Sequence, residues 1–294
     1  MIYNSKMTAH SPLRYFRVSA WIFSVLLSCV TGLSAQTPQR IVSLNLCADQ
    51  LLQTLADPDH ILGLSPLARD PALSLFAREA ERFPSIPPKS EVVLQLKPDL
   101  VLLAPQGQSL LAAKLQEEGI AVLPVSGWTT LADGETQIRA LAHRLGQEAR
   151  GEQLIGRIKQ ALQHSLGKPL DRSRSVLEIE RRLYSPGHTS LIAHLLHVWQ
   201  IPNRADQPAL QAGGFIALER LIQLAPDRLL ISNGNEPDDT QTSGDDMGLA
   251  LLRHPALQSK EIRPITLPAR LTLCGGPATI TLIETLSDAL QTGH

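Results

Sequence analysis

Two stretches of this sequence decide its fold because they are near copies of each other. Residues 91–103 read EVVLQLKPDLVLL, and residues 219–231 read ERLIQLAPDRLLI. Six of the thirteen aligned positions are identical without a gap, among them the first glutamate and the Pro-Asp pair. Each copy predicts a short helix, a turn at Pro-Asp and a buried strand. The repeat therefore predicts two lobes of like architecture, related by an approximate two-fold axis.

Outward from each copy, short apolar runs alternate with helical stretches. The runs that predict strands are 40–44, 61–64, 99–104 and 120–125 in the first half and 175–179, 228–232 and 261–267 in the second. Such alternation is typical of βαβ units, which form mostly parallel sheets. We therefore expect an α/β protein with two Rossmann-like lobes and mostly parallel sheets, bridged by a single long α-helix.

The bridging helix is predicted at 129–168, where apolar residues recur at helical spacing. Thr130 and Asp133 offer a capping box, and Gly167 offers a stop. A continuous helix here would span roughly 57 Å; two helices with a bend at a glycine remain an alternative. The predicted organisation is a signal peptide at 1–35, an N-terminal lobe at 36–128, the connecting helix at 129–168 and a C-terminal lobe at 169–294.

The first residues are typical of an exported protein. Arg14 and Arg17 precede an apolar run at 18–30, and small residues follow up to Ala35. The run is shorter than the roughly 20 residues that a membrane-spanning helix needs. This pattern predicts a secretory signal peptide that is cleaved near Ala35. Lipidation at Cys29 remains an alternative.

Composition and motifs exclude several functional classes. The formal net charge is -1, so nothing predicts a nucleic-acid partner. The sequence has no nucleophile elbow, phosphate loop, dinucleotide fingerprint or zinc-protease motif. The one metal-like cluster is His188, His194 and His197, and helical geometry predicts that His188 points away from His197. We therefore expect no metal site and no catalytic residues.

Two lobes can enclose a ligand, and in open α/β sheets the crevice lies at the carboxyl ends of the strands. Loops at those ends carry polar and aromatic residues suited to recognition. We expect ligand contacts from Asn45, Cys47, Arg69, Gln106, Trp128, Tyr184 and Arg270. A disulfide between Cys47 and Cys274 would tie the lobes together and oppose release. Free thiols are therefore the favoured expectation, with pairing left open.

The order and spacing of these features resemble the periplasmic cobalamin- and siderophore-binding proteins of ABC importers. The matching stretches are RIVSL at 40–44, Glu91 with LKPDL at 96–100, GHT at 187–189, Glu219 with Pro226-Asp227, and LRHPAL at 252–257. The resemblance implies a periplasmic protein with limited hinge motion that delivers its ligand to a permease dimer with a cytoplasmic ATPase. Glutamates at these motif positions dock onto permease arginines in that family, which implies docking roles for Glu91 and Glu219.

One departure leaves the ligand open. Cobalamin binders bring an aromatic side chain to the ligand just before the second glutamate, where this sequence has Ala212-Gly213-Gly214 and then Phe215. Aromatic residues make up only 4% of the chain, so a corrinoid is not favoured over an iron siderophore or haem. We expect a monomeric, non-enzymatic solute-binding protein without a resident cofactor. The alternatives are a secreted metal-dependent enzyme on a similar α/β fold and a scaffold or sensor domain.

Overall fold

The first lobe is built on a four-stranded parallel sheet, in a computed structural model that describes Met1 and residues 37–234 and 262–292. The strands are β1 (Ile41–Ser43), β2 (Ile61–Gly63), β3 (Leu100–Leu103) and β4 (Ala121–Pro124), in the order β2-β1-β3-β4. Helices α1 (Leu46–Leu55), α2 (Ser90–Gln95) and α3 (Ser109–Glu117) follow β1, β2 and β3 along the chain. β1 and β3 are buried along their whole length, as expected for a parallel sheet covered on both faces.

The second lobe repeats this plan with three parallel strands in the order β5-β8-β9. Its strands are β5 (Val176–Ile179), β6 (Tyr184–Ser185), β7 (Gly214–Phe215), β8 (Arg228–Gly234) and β9 (Arg263–Pro268), with β6 and β7 forming a separate antiparallel pair. Its helices are α6 (Leu191–Val198), α7 (Leu218–Leu224), α8 (Ala269–Thr272) and α9 (Ala278–Ala289). The predicted α/β class with mostly parallel sheets is therefore confirmed.

The internal repeat is also a repeat of backbone geometry. Lys97 and Ala225, which occupy the same position in the two copies, have left-handed φ angles of 49° and 41°. Left-handed backbone is unfavourable for residues with a Cβ, so the same unusual turn at both sites indicates a shared structural requirement. Each turn ends a short helix and lets the following Pro-Asp pair lead directly into a buried strand.

The aspartates of the repeat hold equivalent strands in place. The Asp99 carboxylate accepts a hydrogen bond of 3.1 Å from the backbone N–H of Arg40, just before β1. The Asp227 carboxylate accepts one of 2.8 Å from the backbone N–H of Ser175, just before β5. The shared Pro-Asp motif therefore joins the start of β3 to the start of β1 in the first lobe, and the start of β8 to the start of β5 in the second.

The predicted connecting helix is interrupted. Helix α4 (Leu131–Leu145) begins at the predicted capping box of Thr130 and Asp133 and ends at Gly146, which has a left-handed φ of 65°. Helix α5 (Glu148–Leu166) follows after Gln147. The expectation of one continuous helix over 129–168 is therefore wrong, because the left-handed Gly146 reverses the chain direction.

Helices α4 and α5 pack side by side as an antiparallel pair rather than end to end. Arg139 of α4 forms a salt bridge of 2.7 Å with Glu152 of α5. Lys159 of α5 forms one of 2.9 Å with Glu135 of α4. Helix α5 also packs against α1 of the first lobe and α9 of the second. Helix α5, whose 19 residues span about 28 Å, thus contacts both lobes.

The largest apolar cluster extends through both lobes. It joins Leu51 and Trp128 of the first lobe to Trp199 and Leu282 of the second, while each lobe also has a smaller cluster of its own. The residues from Thr37 onward accordingly form one compact unit. The shared core restricts the independent movement of the lobes.

Several predictions fall on residues that the structure does not describe. These are the signal peptide, of which only Met1 is described, the alternative lipidation site at Cys29 and the LRHPAL stretch at 252–257. The Asn-, Asp- and Gly-rich stretch 233–244 also predicts an exposed loop, and the structure describes only its first two residues, which belong to β8. No helix of the described residues is long and apolar enough to cross a membrane.

Candidate functional site

The carboxyl ends of the two sheets meet where the chain leaves β4 and where it leaves α8. The backbone N–H of Trp128, four residues after β4, donates a hydrogen bond of 3.2 Å to the carbonyl of Cys274. A Cβ built on Gly127 would lie 3.0 Å from the carbonyl oxygen of Leu273. The loops predicted to border a ligand crevice are therefore brought together, and their backbones are in direct contact.

Cys47 and Cys274 form a disulfide across this junction. Their Cα atoms are 5.0 Å apart, a usual separation for the bond. The expectation of free thiols is therefore wrong, and Cys47 has no thiol to offer a ligand. The pairing joins residues 227 apart in sequence, so it follows from how the lobes pack and not from local spacing.

Trp128 is buried. Its side chain is 6% exposed, and its indole N–H donates a 3.0 Å hydrogen bond to Gln137. The ring lies against Gly134 and Gly275, where a Cβ would overlap it. These two glycines form a slot that takes the ring into the interface between the lobes, so ligand contact by Trp128 has no support from its exposure and stays a prediction.

Asn45 uses its polar groups within the protein. Its side-chain oxygen caps α1 by accepting from the N–H of Cys47 at 2.8 Å, and its amide donates to the carbonyl of Val125 at 2.9 Å. The residue thus ties the start of α1 to the end of β4. This structural role accounts for the side chain without a ligand.

The other predicted contacts lie on loops near the carboxyl edges. Arg69 and Gln106 are exposed, and Arg270 is half-buried on α8. Arg69 donates a hydrogen bond to the backbone carbonyl of Phe83. Ligand contact by these three residues stays a prediction.

Tyr184 belongs to an aromatic pair that the sequence reasoning did not assemble. It lies opposite Phe215 in the β6–β7 pair, with ring centroids 5.3 Å apart in an edge-to-face arrangement. Phe215 is 74% exposed, which is unusual for so large an apolar side chain. The signal for it was present in the sequence, because Phe215 directly follows the Gly-Gly segment before Glu219. The pair places aromatic surface next to solvent, most of it on the exposed Phe215 ring.

Further exposed apolar side chains lie near the same edges. Among the described residues from 37 onward, the exposed large apolar side chains are Leu67, Leu110, Leu166, Phe215, Ile222 and Leu273. Three of them, Leu67, Leu110 and Leu273, follow the carboxyl end of a parallel strand, and Phe215 lies in the β6–β7 pair.

The three histidines line one cavity of about 610 Å³, together with Thr129, Thr130 and Asp206. The prediction that His188 points away from His197 is wrong, because α6 begins only at Leu191 and His188 lies on the preceding loop. Partial burial and the nearby His197 lower the pKa of His194. Within the described residues, no three His, Cys, Asp or Glu side chains are placed to hold a metal ion.

Glu91 and Glu219 occupy equivalent exposed positions in the first turns of α2 and α7. Neither carboxylate forms an ion pair with any of the residues described here. Each carboxylate lies in the first turn of its helix, where the helix dipole favours a negative charge. Neither helix has a side-chain cap at its N-terminus. Both glutamates are available to a partner.

Two buried carboxyl groups lie beneath the loops of the cleft. Burial raises the pKa of Asp49 to about 6 and the pKa of Glu178 to about 7. Asp49 accepts a 3.1 Å hydrogen bond from the N–H of Ser65, which begins the loop after β2. Glu178 accepts one from the hydroxyl of Ser190, the cap of α6. Asp49 thus holds the loop after β2 to α1, and Glu178 holds the start of α6 to β5.

Comparison with known proteins supports one interpretation of this architecture. A family model described as periplasmic binding protein matches residues 41–260. A search of curated proteins finds no match.

Solved structures with the same fold include three periplasmic binding proteins. A haem-binding protein from Pseudomonas aeruginosa has a TM-score of 0.68 and 21% identity over 87% of this chain and 94% of its own. A haem-binding protein from Vibrio cholerae has a TM-score of 0.68 and 18% identity over 86% and 98%. The vitamin B12 binding protein from Vibrio cholerae has a TM-score of 0.62 and 18% identity over 86% and 97%. These similarities confirm the predicted two-lobed fold.

Proposed function

Because this chain belongs to the periplasmic binding protein family, we propose that it is the solute-binding component of an ABC importer and that its cargo is a metal chelate. The family match over residues 41–260 is the observation that carries this proposal. The family resemblance predicted from the sequence is thereby confirmed. The family consists of binding proteins, and we extend this to a role without catalysis.

The cleft surface favours a flat, largely apolar chelate. Phe215 and Tyr184 present aromatic surface, and Leu110 and Leu273 add exposed aliphatic surface near the carboxyl edges. A porphyrin or corrin ring would cover such groups and remove their apolar area from water. Two of the solved structures described above are haem-binding proteins and a third binds vitamin B12. We propose haem as the first candidate, a corrinoid as the second and an iron siderophore as the third.

The family works with an ABC permease and its ATPase, and its name implies a periplasmic location. We propose in addition that the signal peptide is cleaved near Ala35 and that the mature protein acts as a monomer. The metal chelate is cargo, and no resident cofactor is part of the proposal.

Ligand titration of the purified protein tests this function. Haemin, cyanocobalamin and a ferric hydroxamate are added in turn, and binding is followed by absorbance and native mass spectrometry. We expect one-to-one binding of haemin, weakened by about 1–3 kcal/mol in Phe215→Ala because the variant loses apolar contact area. Leu166→Ala, which shortens an exposed side chain on the connecting helix, is the matched control and keeps full affinity. Binding of none of the three ligands would contradict the proposal.

A further inference from the structure

The junction between the lobes is fixed from the first-lobe side by the start of α1. Cys47 is the second residue of that helix, and its N–H is held by the Asn45 side chain at 2.8 Å. Through its amide, Asn45 also holds the carbonyl of Val125 at 2.9 Å. The backbone of Cys47 at the start of α1 is thus tied through Asn45 to Val125, the residue after β4.

On the second-lobe side, the loop after α8 packs against the first lobe. Cys274 is 5% exposed, and its carbonyl accepts from the N–H of Trp128. Gly275 follows with a left-handed φ of 81°, and a Cβ there would lie 2.5 Å from the Trp128 ring. Only a glycine fits this position, because both the backbone conformation and the ring exclude a side chain.

The disulfide therefore adds a covalent bond to a contact that is already packed and hydrogen-bonded. The contact also lies within the apolar cluster that contains Trp128, Leu271 and Ala278. A noncovalent contact of this kind can open on the microsecond-to-second scale of lobe motions. The S–S bond between Cys47 and Cys274 prevents that opening.

We propose that the Cys47–Cys274 disulfide is a positioning element of the ligand cleft: it holds the start of α1 in the first lobe and the loop after α8 in the second at a fixed separation, so that the cleft stays preformed. The proposal rests on the cleft of the proposed function, but the geometry it describes does not depend on which ligand binds. A preformed cleft avoids the free-energy cost of ordering two lobes when the ligand arrives.

Reduction of the folded wild-type protein is the direct test. Dithiothreitol cleaves the S–S bond, each sulfur gains one electron and one proton, and dithiothreitol is oxidised to its cyclic disulfide. We expect faster hydrogen exchange at the Trp128 amide and its neighbours in the reduced protein. We also expect about tenfold faster haemin dissociation, measured with apomyoglobin as a trap, because the reduced cleft samples open arrangements. Reoxidation should restore both values.

The Cys47→Ser/Cys274→Ser double variant is the matched control. It should resemble the reduced wild type and should not respond to dithiothreitol. Unchanged exchange at Trp128 after reduction would overturn the proposal, and so would global unfolding on reduction, since the bond would then serve stability rather than positioning. If haemin does not bind at all, the exchange measurement still decides the proposal, so its failure is distinguishable from failure of the proposed function.

Discussion

At the scale of single residues, two buried carboxyl groups have a clear consequence for how stability depends on pH. Asp49 and Glu178 each place a carboxyl group beneath a cleft loop, with serine partners in both cases. Burial raises their pKa values to about 6 and about 7, from ordinary values of 3.8 and 4.5. In the unfolded chain the same groups would ionise at the lower values.

The stability of the protein should therefore decrease as pH rises through neutrality. A raised folded-state pKa contributes stability that is fully present below about pH 4 and is lost as pH passes about 6 to 7. We expect the free energy of unfolding from urea titrations to fall between pH 5 and pH 8 by a few kcal/mol, on the order of 1.4 kcal/mol per unit of pKa difference.

Glu178→Gln isolates one of the two contributions. The amide keeps a hydrogen-bond acceptor for Ser190 but cannot ionise, so the variant should show a clearly shallower pH dependence. Glu117→Gln, which alters an exposed carboxylate on α3, is the control and should keep the wild-type slope. A Glu178→Gln slope equal to that of wild type would show that Glu178 does not titrate in this range.

At the scale of elements, a single glycine turns one predicted helix into two. The apolar spacing of α4 and α5 is helical throughout, so local pattern could not show where the chain folds back. Gly146 sets the position of the reversal, because its left-handed backbone ends α4 and lets α5 run back alongside α4. The ion pairs from Arg139 to Glu152 and from Lys159 to Glu135 exist only in that arrangement.

Two glycines on this helical pair should respond in opposite directions to replacement by alanine. Gly146→Ala places a Cβ on backbone with a φ of 65° and 2.7 Å from the Thr37 methyl group, so we expect a loss of about 1–2 kcal/mol. Gly156→Ala lies in the middle of α5 with no atom within 4 Å, so we expect a gain of about 0.5–1 kcal/mol. Urea denaturation of both variants measures the difference. A Gly146→Ala variant at least as stable as wild type would contradict this account of the chain reversal.

At the scale of the whole molecule, the pseudo-two-fold repeat places one exposed glutamate on each lobe. A permease of two like subunits presents the same pocket twice, so Glu91 and Glu219 could each bind a basic site on one subunit. Such charge pairs steer approach and set register more than they add affinity. The helix dipole also favours both residues, by about 0.3–1 kcal/mol, without any partner.

The double variant Glu91→Ala/Glu219→Ala distinguishes a role in permease docking from a purely structural role at the helix N-terminus. Docking predicts that transport and permease-stimulated ATPase activity fall while ligand affinity and thermal stability hold. Glu117→Ala/Glu284→Ala removes two exposed carboxylates elsewhere and should transport normally. Normal transport by the first variant, or its unfolding, would show that these glutamates do not dock.

Ligand binding should change the overall shape little. The lobes share an apolar cluster, the helix α5 and the Cys47–Cys274 bond, each of which opposes a wide clamshell motion. Small-angle scattering of the free and haemin-bound protein should give nearly equal radii of gyration, with Phe215→Ala as a weakly binding control. A fall of several Å on binding would contradict this expectation.

Sequence by itself determined the features that recur along the chain. The copies at 91–103 and 219–231 predicted two like lobes, and the structure shows the same left-handed turn and Pro-Asp tie in each. Alternating short apolar runs predicted the parallel sheets, since burial on both faces leaves that pattern in the residues themselves. The family resemblance depended on the same local motifs.

Tertiary structure alone decided which of the predicted cleft residues remain open. Trp128 follows a strand end as a ligand contact would, yet its ring lies against Gly275, which is distant in sequence, as well as the nearby Gly134. Phe215 pairs with Tyr184 in β6–β7 and stays exposed, and Cys47 is bonded because the loop after α8 lies against α1. Local spacing reports the backbone hydrogen bonding and burial of one element. Contact between loops 227 residues apart depends on how all the intervening elements pack, which no short stretch of sequence contains.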